Sequence, residues 1–248
     1  MIVGFLGTGR IAAPMVEALV EGGHEILVSE RSRAVSRDLA GRFAGVTVRD
    51  NRGVVEGSEV VVISLLAAVA REELPDLPFR SDQKVISVMA DVGLAEIGDM
   101  IGETAELCVT IPYPFINTGG CPLAVYPRSA TLTALFGGNN TVIPVDSEAA
   151  MKPHFAASAV TSTIMKELMT VRDWLGSHAG GPAAAEKYMT ALVGGYLGAM
   201  QKDGADRLGE AVGNLATAGG LNAQLLAHME AAGTMKTLES GLDELLRR

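Results

Sequence analysis

Apolar and polar positions follow two regimes along this chain. Through about residue 145, short apolar runs alternate with stretches of helical spacing. Ile2, Val3, Phe5 and Leu6 make the first run, and residues 11–21 carry apolar side chains at helical intervals. Residues 26–28 read as a second strand, 32–43 as a helix, 46–48 as a third strand and 51–56 as a short helix. Residues 60–65 are continuously apolar, as in a parallel strand buried on both faces. A helix at 70–74, a strand at 85–88 and a helix at 94–101 follow. Residues 107–111, 123–126 and 141–145 are further strands, with less helix between them, as at the edge of an extended sheet. Such a rhythm predicts an α/β fold with a doubly wound parallel sheet.

From Ser147 onward no strand pattern is found. Residues 158–175, 183–200, 205–215, 222–231 and 235–246 read as helices, separated at Gly180-Gly181, Gly219-Gly220 and Gly233. Pro182 suits a first helical turn, where its missing N–H costs nothing. Gly194, Gly195 and Gly198 permit close helix–helix contact, and so apolar a helix suits cover by a second subunit. Two domains are expected: a Rossmann-type dinucleotide-binding domain at 1–150 and an all-α substrate and dimerisation domain at 151–248.

The first strand runs straight into Gly7-x-Gly9-x-x-Ala12 and then a helix. Gly7 permits a tight turn, Gly9 lets the backbone approach a pyrophosphate, and Ala12 lets helix and strand pack closely. The unpaired N–H groups and positive dipole end of the helix would face the phosphates. Gly7, Thr8, Gly9, Arg10, Ile11 and Ala12 are therefore candidate cofactor contacts. A chance glycine pair in one strand–helix unit is the plainer alternative. A protein-kinase reading fails for want of HRD and DFG sequences.

After the second strand stand Ser29, Glu30, Arg31, Ser32 and Arg33. An acid here accepts from a ribose diol and favours NAD, whereas arginine and serine hold a 2′-phosphate and favour NADP. Ser29, Arg31 and Ser32 make NADP the expected cofactor, with NAD the alternative. A solvated helix start would also explain Arg31, Arg33 and Arg37. Leu65 and Pro112, near the ends of two strands, are the remaining expected cofactor contacts.

The net charge of −9 argues against nucleic acid and an anionic membrane surface as partners. The longest apolar run, 60–70, is too short to span a bilayer, and no secretory leader is read at the start, so a cytoplasmic protein is expected. Cys108 and Cys121 form no framework, and His24, His154, His178 and His228 are scattered, so no metal site is expected.

The opening GFLGTGRIAAPMVEAL, residues 60–74 and 85–94, and Thr217-Ala218-Gly219-Gly220-Leu221-Asn222 followed by Gln224-Leu225 resemble the pyrroline-5-carboxylate reductase family. The resemblance covers most of the chain. It implies an NADPH-type cofactor in the first domain, a helical second domain that dimerises, and reduction of a small cyclic imine carboxylate at their junction. The chain departs from the family pattern at four places. Ala67-Ala68 stands for a Lys-Pro pair and Ile111-Pro112-Tyr113 for Met-Pro-Asn. Residues 156–160 replace Ser-Gly-Ser-Gly-Pro, and Asn222 falls where the family has a threonine near the imine.

Hydride transfer to a protonated imine needs placement more than acid–base groups. Asn222 and Thr217 are the expected catalytic residues. Ser158, Gly219, Gly220, Leu221 and Asn222 are the expected substrate contacts, the last four opening a helix toward a carboxylate. Asn222 as a plain helix cap is the alternative. Tyr113 and Phe115 would wall the nicotinamide pocket or simply pack, and Thr161, Ser162 and His154 are weaker candidates. The partner expected is a small imine or keto acid, with a homodimer through the helical domain. Two other functions remain open: a nucleotide-binding sensor or scaffold without turnover, and a β-hydroxyacid dehydrogenase relying on Lys166.

Overall fold

The computed structural model describes residues 1–247; residue 248, the end of the expected second domain, lies outside the described residues. Contacts divide the chain into Met1–Phe155 and Ala156–Arg248.

The first unit is a single eight-stranded sheet. In chain order the strands are β1 (Ile2–Leu6), β2 (Glu25–Ser29), β3 (Val46–Arg49), β4 (Val60–Ile63), β5 (Lys84–Ser87), β6 (Glu106–Thr110), β7 (Pro122–Tyr126) and β8 (Thr141–Pro144). Their order across the sheet is β3-β2-β1-β4-β5-β6-β7-β8. β1 to β6 are parallel, β7 is antiparallel to β6, and β8 is parallel to β7. The expected strands are all present, and the chain order reverses between β1 and β4, the switch point where ligands of open α/β sheets bind.

Helices cover both faces, which is why the central strands are apolar throughout. α1 (Ala12–Glu21) buries Ala12, Met15, Val16 and Leu19. These pack with Val3, Phe5, Val28, Val60 and Val62 on one face. On the other face Leu6, Val61, Ile63 and Val85 meet Val54 and Val55 of α3 (Asn51–Gly57) and Ala70 of α4 (Ala67–Glu73). Ile97 and Ile101 of α5 (Leu94–Ile101) complete that core. α2 (Arg33–Arg42) lies between β2 and β3.

The sheet edge differs from expectation. A helix, α6 (Ala130–Phe136), separates β7 from β8. It is required because parallel neighbours need a crossover. Ser129 caps it, accepting from Leu132 N at 2.8 Å. Ser129 Oγ also donates to Glu106 Oε1 and Thr131 Oγ1 to Glu106 Oε2, fixing the start of α6 to β6.

α7 (Met151–Ser158) contains the division between the units, about five residues beyond the expected boundary at 150. The second unit continues with α8 (Val160–His178), α9 (Gly181–Ala199), α10 (Arg207–Leu215), α11 (Leu221–Ala231) and α12 (Thr234–Leu246). All five expected helices are present. Gly180 and Gly181 take positive φ at the α8–α9 corner. Ala185 is the one buried side chain among the described residues of α8 to α12. Tyr188, Tyr196, Leu197, Leu208 and Leu225 are all more than half exposed. Trp174, 62% exposed, lies against the His178 ring in a tilted arrangement, 4.5 Å between centroids.

Gln83 ties two segments of the first unit together. Its fully buried Nε2 donates to Val55 O at 2.7 Å and Ser58 O at 2.9 Å, closing the carboxyl end of α3. Arg80 reinforces the same end, donating to the Val55, Glu56 and Ser58 carbonyls. Gln83→Ala removes two buried hydrogen bonds to the Val55 and Ser58 carbonyls and the Oε1 acceptor of Arg80 N, and is expected to cost about 1–3 kcal/mol. A lowered urea midpoint with dinucleotide affinity unchanged would check it.

Candidate dinucleotide site

β1 ends at Leu6, beside β4, and Gly7 turns the chain with φ of 90°. A Cβ on Gly7 would lie 2.2 Å from Ser64 O, so the position tolerates only glycine. Gly7 N donates to Ser29 Oγ at 2.8 Å, and Ser64 N donates to Leu6 O at 2.8 Å. The ends of β1, β2 and β4 are thereby held together beneath the loop.

Above the loop the situation is opposite. A Cβ on Gly9 would meet nothing within 4 Å. No side chain caps α1, and its first turn has no acidic residue. Its positive end thus stays uncompensated by protein, as an anion site requires. Thr8 between the glycines is fully buried, and its Oγ1 has no hydrogen-bond partner in the structure. A buried hydroxyl without a partner is costly unless a ligand supplies one. His24 Nδ1, the other such atom among the described residues, sits in the turn entering β2, at the opposite end of that strand from Ser29. The residues present fit a dinucleotide pyrophosphate.

The expected cofactor contacts sort as follows. Gly7, Thr8, Gly9, Arg10, Ile11 and Ala12 form the loop and the start of α1, with Gly9 and Arg10 exposed and Ala12 buried beneath. Ser29, expected with Arg31 and Ser32 as a contact for the 2′-phosphate, is fully buried and its Oγ accepts from Gly7 N, so its side chain supports the loop. Arg31 and Ser32 lie in a single turn of 3-10 helix directly after β2, with Arg31 exposed. Leu65 is half-buried after β4, next to Leu66, which is 78% exposed. Pro112 is buried after β6, and beyond it Tyr113 and Phe115 stack with ring centroids 5.9 Å apart. Leu66 was not singled out in the sequence; an apolar residue just past a strand at the switch point was the available signal.

In the second unit the N-cap of α11 is Gly220, not Asn222. Asn222 is the second residue of that helix and exposed, so the capping alternative is overturned. Thr217 is exposed, and its backbone oxygen accepts from Gly220 N at 2.9 Å. Gly219 and Leu221 are exposed and Gly220 half-buried. Ser158 ends α7. Thr161 and Ser162 bond back to the Ser158 and Ala159 carbonyls, and His154 Nδ1 to Ala150 O at 2.7 Å. These three are engaged by their own helices. Burial pushes the Cys108 thiol up to about 12 and raises that of Cys121, so neither is an activated nucleophile. Among the described residues no group of three or more His, Cys, Asp or Glu could hold a metal, and no helix is long and apolar enough to cross a membrane.

Fold and loop together define a Rossmann-type dinucleotide-binding unit followed by an all-helical unit. Residues 2–91 match the family described as NADP oxidoreductase, coenzyme F420-dependent. Among solved structures, the chain is similar to 1-pyrroline-5-carboxylate reductase from Streptococcus pyogenes (TM-score 0.82, 17% identity, 100% of this chain and 97% of that one). It is likewise similar to pyrroline carboxylate reductase from Plasmodium falciparum, solved with NADP bound (TM-score 0.83, 13%, 100% and 96%). A pyrroline-5-carboxylate reductase from Coxiella burnetii gives 0.81, 19%, 99% and 96%. No curated protein matches in sequence. At these identities the shared property is the fold, which bears out the resemblance read from the sequence motifs across both units.

Gly9→Ala places a methyl in open space and is expected to leave stability unchanged while weakening dinucleotide binding at least about tenfold, as a lost charge-assisted contact would. Gly7→Ala is expected to destabilise by about 1–3 kcal/mol through its backbone alone. Fluorescence titration with NADPH and thermal melts of the two variants separate these outcomes.

Proposed function

We propose that this chain is a cytoplasmic NADPH-dependent reductase of a small cyclic imine carboxylate, 1-pyrroline-5-carboxylate being the first substrate to test and proline its product. The observation that carries the reading is the open, uncapped loop at Gly7–Ala12 with the unpartnered Thr8 hydroxyl, in a chain whose fold follows pyrroline-5-carboxylate reductases from end to end. NADP bound in the Plasmodium falciparum protein supports the cofactor, and unpaired Cys108 and Cys121 suit a reducing compartment.

Bound NADPH would supply the hydride. The loop and α1 would hold its pyrophosphate, and Arg31 and Ser32 its 2′-phosphate. The N–H groups of Leu221, Asn222 and Ala223 open α11 without a side-chain cap, and they would bind the substrate carboxylate. Asn222, exposed at the second position of that helix, would orient the ring nitrogen, with Thr217 supporting the turn from below. A protonated imine accepts hydride at carbon and needs no further proton, which suits a set of residues without an activated acid.

Purified protein given pyrroline-5-carboxylate is expected to oxidise NADPH, followed at saturating imine. Asn222→Ala is expected to lower turnover about ten- to hundredfold, the range of a lost positioning bond, with the melting temperature unchanged because Gly220 is the cap. Tight NADPH binding with no turnover on any imine would instead identify a nucleotide sensor.

The second unit would be completed by a second copy. A chain segment of this length with one buried side chain in five helices cannot offset its ordering entropy by itself. Covering Tyr188, Tyr196, Leu197 and Leu208 would supply the missing apolar burial. Sedimentation is expected to show a homodimer, and Leu197→Glu to yield monomer whose helical unit is less stable.

A further inference from the structure

Arg31 already faces a carboxylate. Its Nη1 lies 3.9 Å from Glu73 Oε1, across from β2 on the last residue of α4. Asn51 Nδ2, at the start of α3, donates to the other oxygen of that carboxylate at 2.9 Å. Glu73 is therefore held between an amide and a guanidinium drawn from two other segments.

The stability of α4 does not explain this placement. A carboxylate in the last turn of a helix faces the negative end of the dipole, where cations are favoured. The nearest cation on the same helix, Arg71, is turned away to Glu96 at 2.6 Å. Glu72 and Asp76 flank Glu73 and add negative charge. Arg31 faces Glu73, and Ser29, the other group at the end of β2, is spent on Gly7 N.

A 2′-phosphate arriving at Arg31 must displace Glu73 or share the guanidinium with it, whereas the uncharged ribose diol of NADH meets no such competition. We propose that Glu73 is a specificity-determining residue that lowers the preference for NADPH over NADH by holding Arg31. This rests on the dinucleotide site argued above. Glu73 acts through Arg31 and is a positioning residue, keeping both cofactors within reach of one site.

Glu73→Gln removes the charge but leaves an amide oxygen to accept from Asn51 Nδ2. Dissociation constants for NADPH and NADH are measured on the full chain, with Arg31→Ala added in a second variant. NADPH is expected to bind about two- to fivefold tighter in Glu73→Gln, the range of a half-exposed ion pair, with NADH unchanged. That gain should fade in high salt and vanish when Arg31→Ala is added. Equal shifts for both cofactors, no shift, or a gain that survives Arg31→Ala would overturn the proposal. Failure of the unsubstituted chain to bind either dinucleotide would overturn the site itself along with it.

Discussion

The first unit depends on how tightly Gly7 is held at the switch point. Its N–H is taken by Ser29 Oγ from β2, and its α-carbon faces Ser64 O just past β4 with no room for a side chain. Three strand ends are thus locked at one residue, and positive φ redirects the chain from strand to helix in five residues. The apolar sheet beneath makes this possible, because β1 and β4 are buried along almost their whole length and cannot slide. What the turn leaves exposed is the amino end of α1, and everything chemical in this unit follows from that end being open.

The two units obey different energetics. The first closes its own cores on both faces of the sheet, with acidic and amide side chains such as Glu106 and Gln83 anchoring the peripheral helices. The second presents its tyrosines and leucines outward. The same chain therefore joins a unit with closed cores to helices whose apolar side chains are exposed.

Much of this was legible in the residues. Short apolar runs marked the eight strands, and the glycine pair marked the turn before the loop could be seen. α6 escaped because Ala130–Phe136 is short and rich in threonine, which lowers helix propensity. Its signal was the Ser129 cap with apolar residues at Leu132, Leu135 and Phe136. At Ser29 and at the cap of α11, residue type was not enough. Residue type suggested a role, but the role was set by burial in one case and by where the helix begins in the other. Glu73 could not have been linked to Arg31 at all, since 42 positions of chain separate them.

Trp174 is the one tryptophan of the chain, and it lies in α8 against His178. Intrinsic indole emission from this protein therefore carries no contribution from the nucleotide-binding sheet and reports the helical unit alone. Because the indole is largely in water and lies against an imidazole, its intensity will follow anything that dries the surface around it. The molecule comes with an optical probe already placed on the half of the chain whose apolar surface is uncovered.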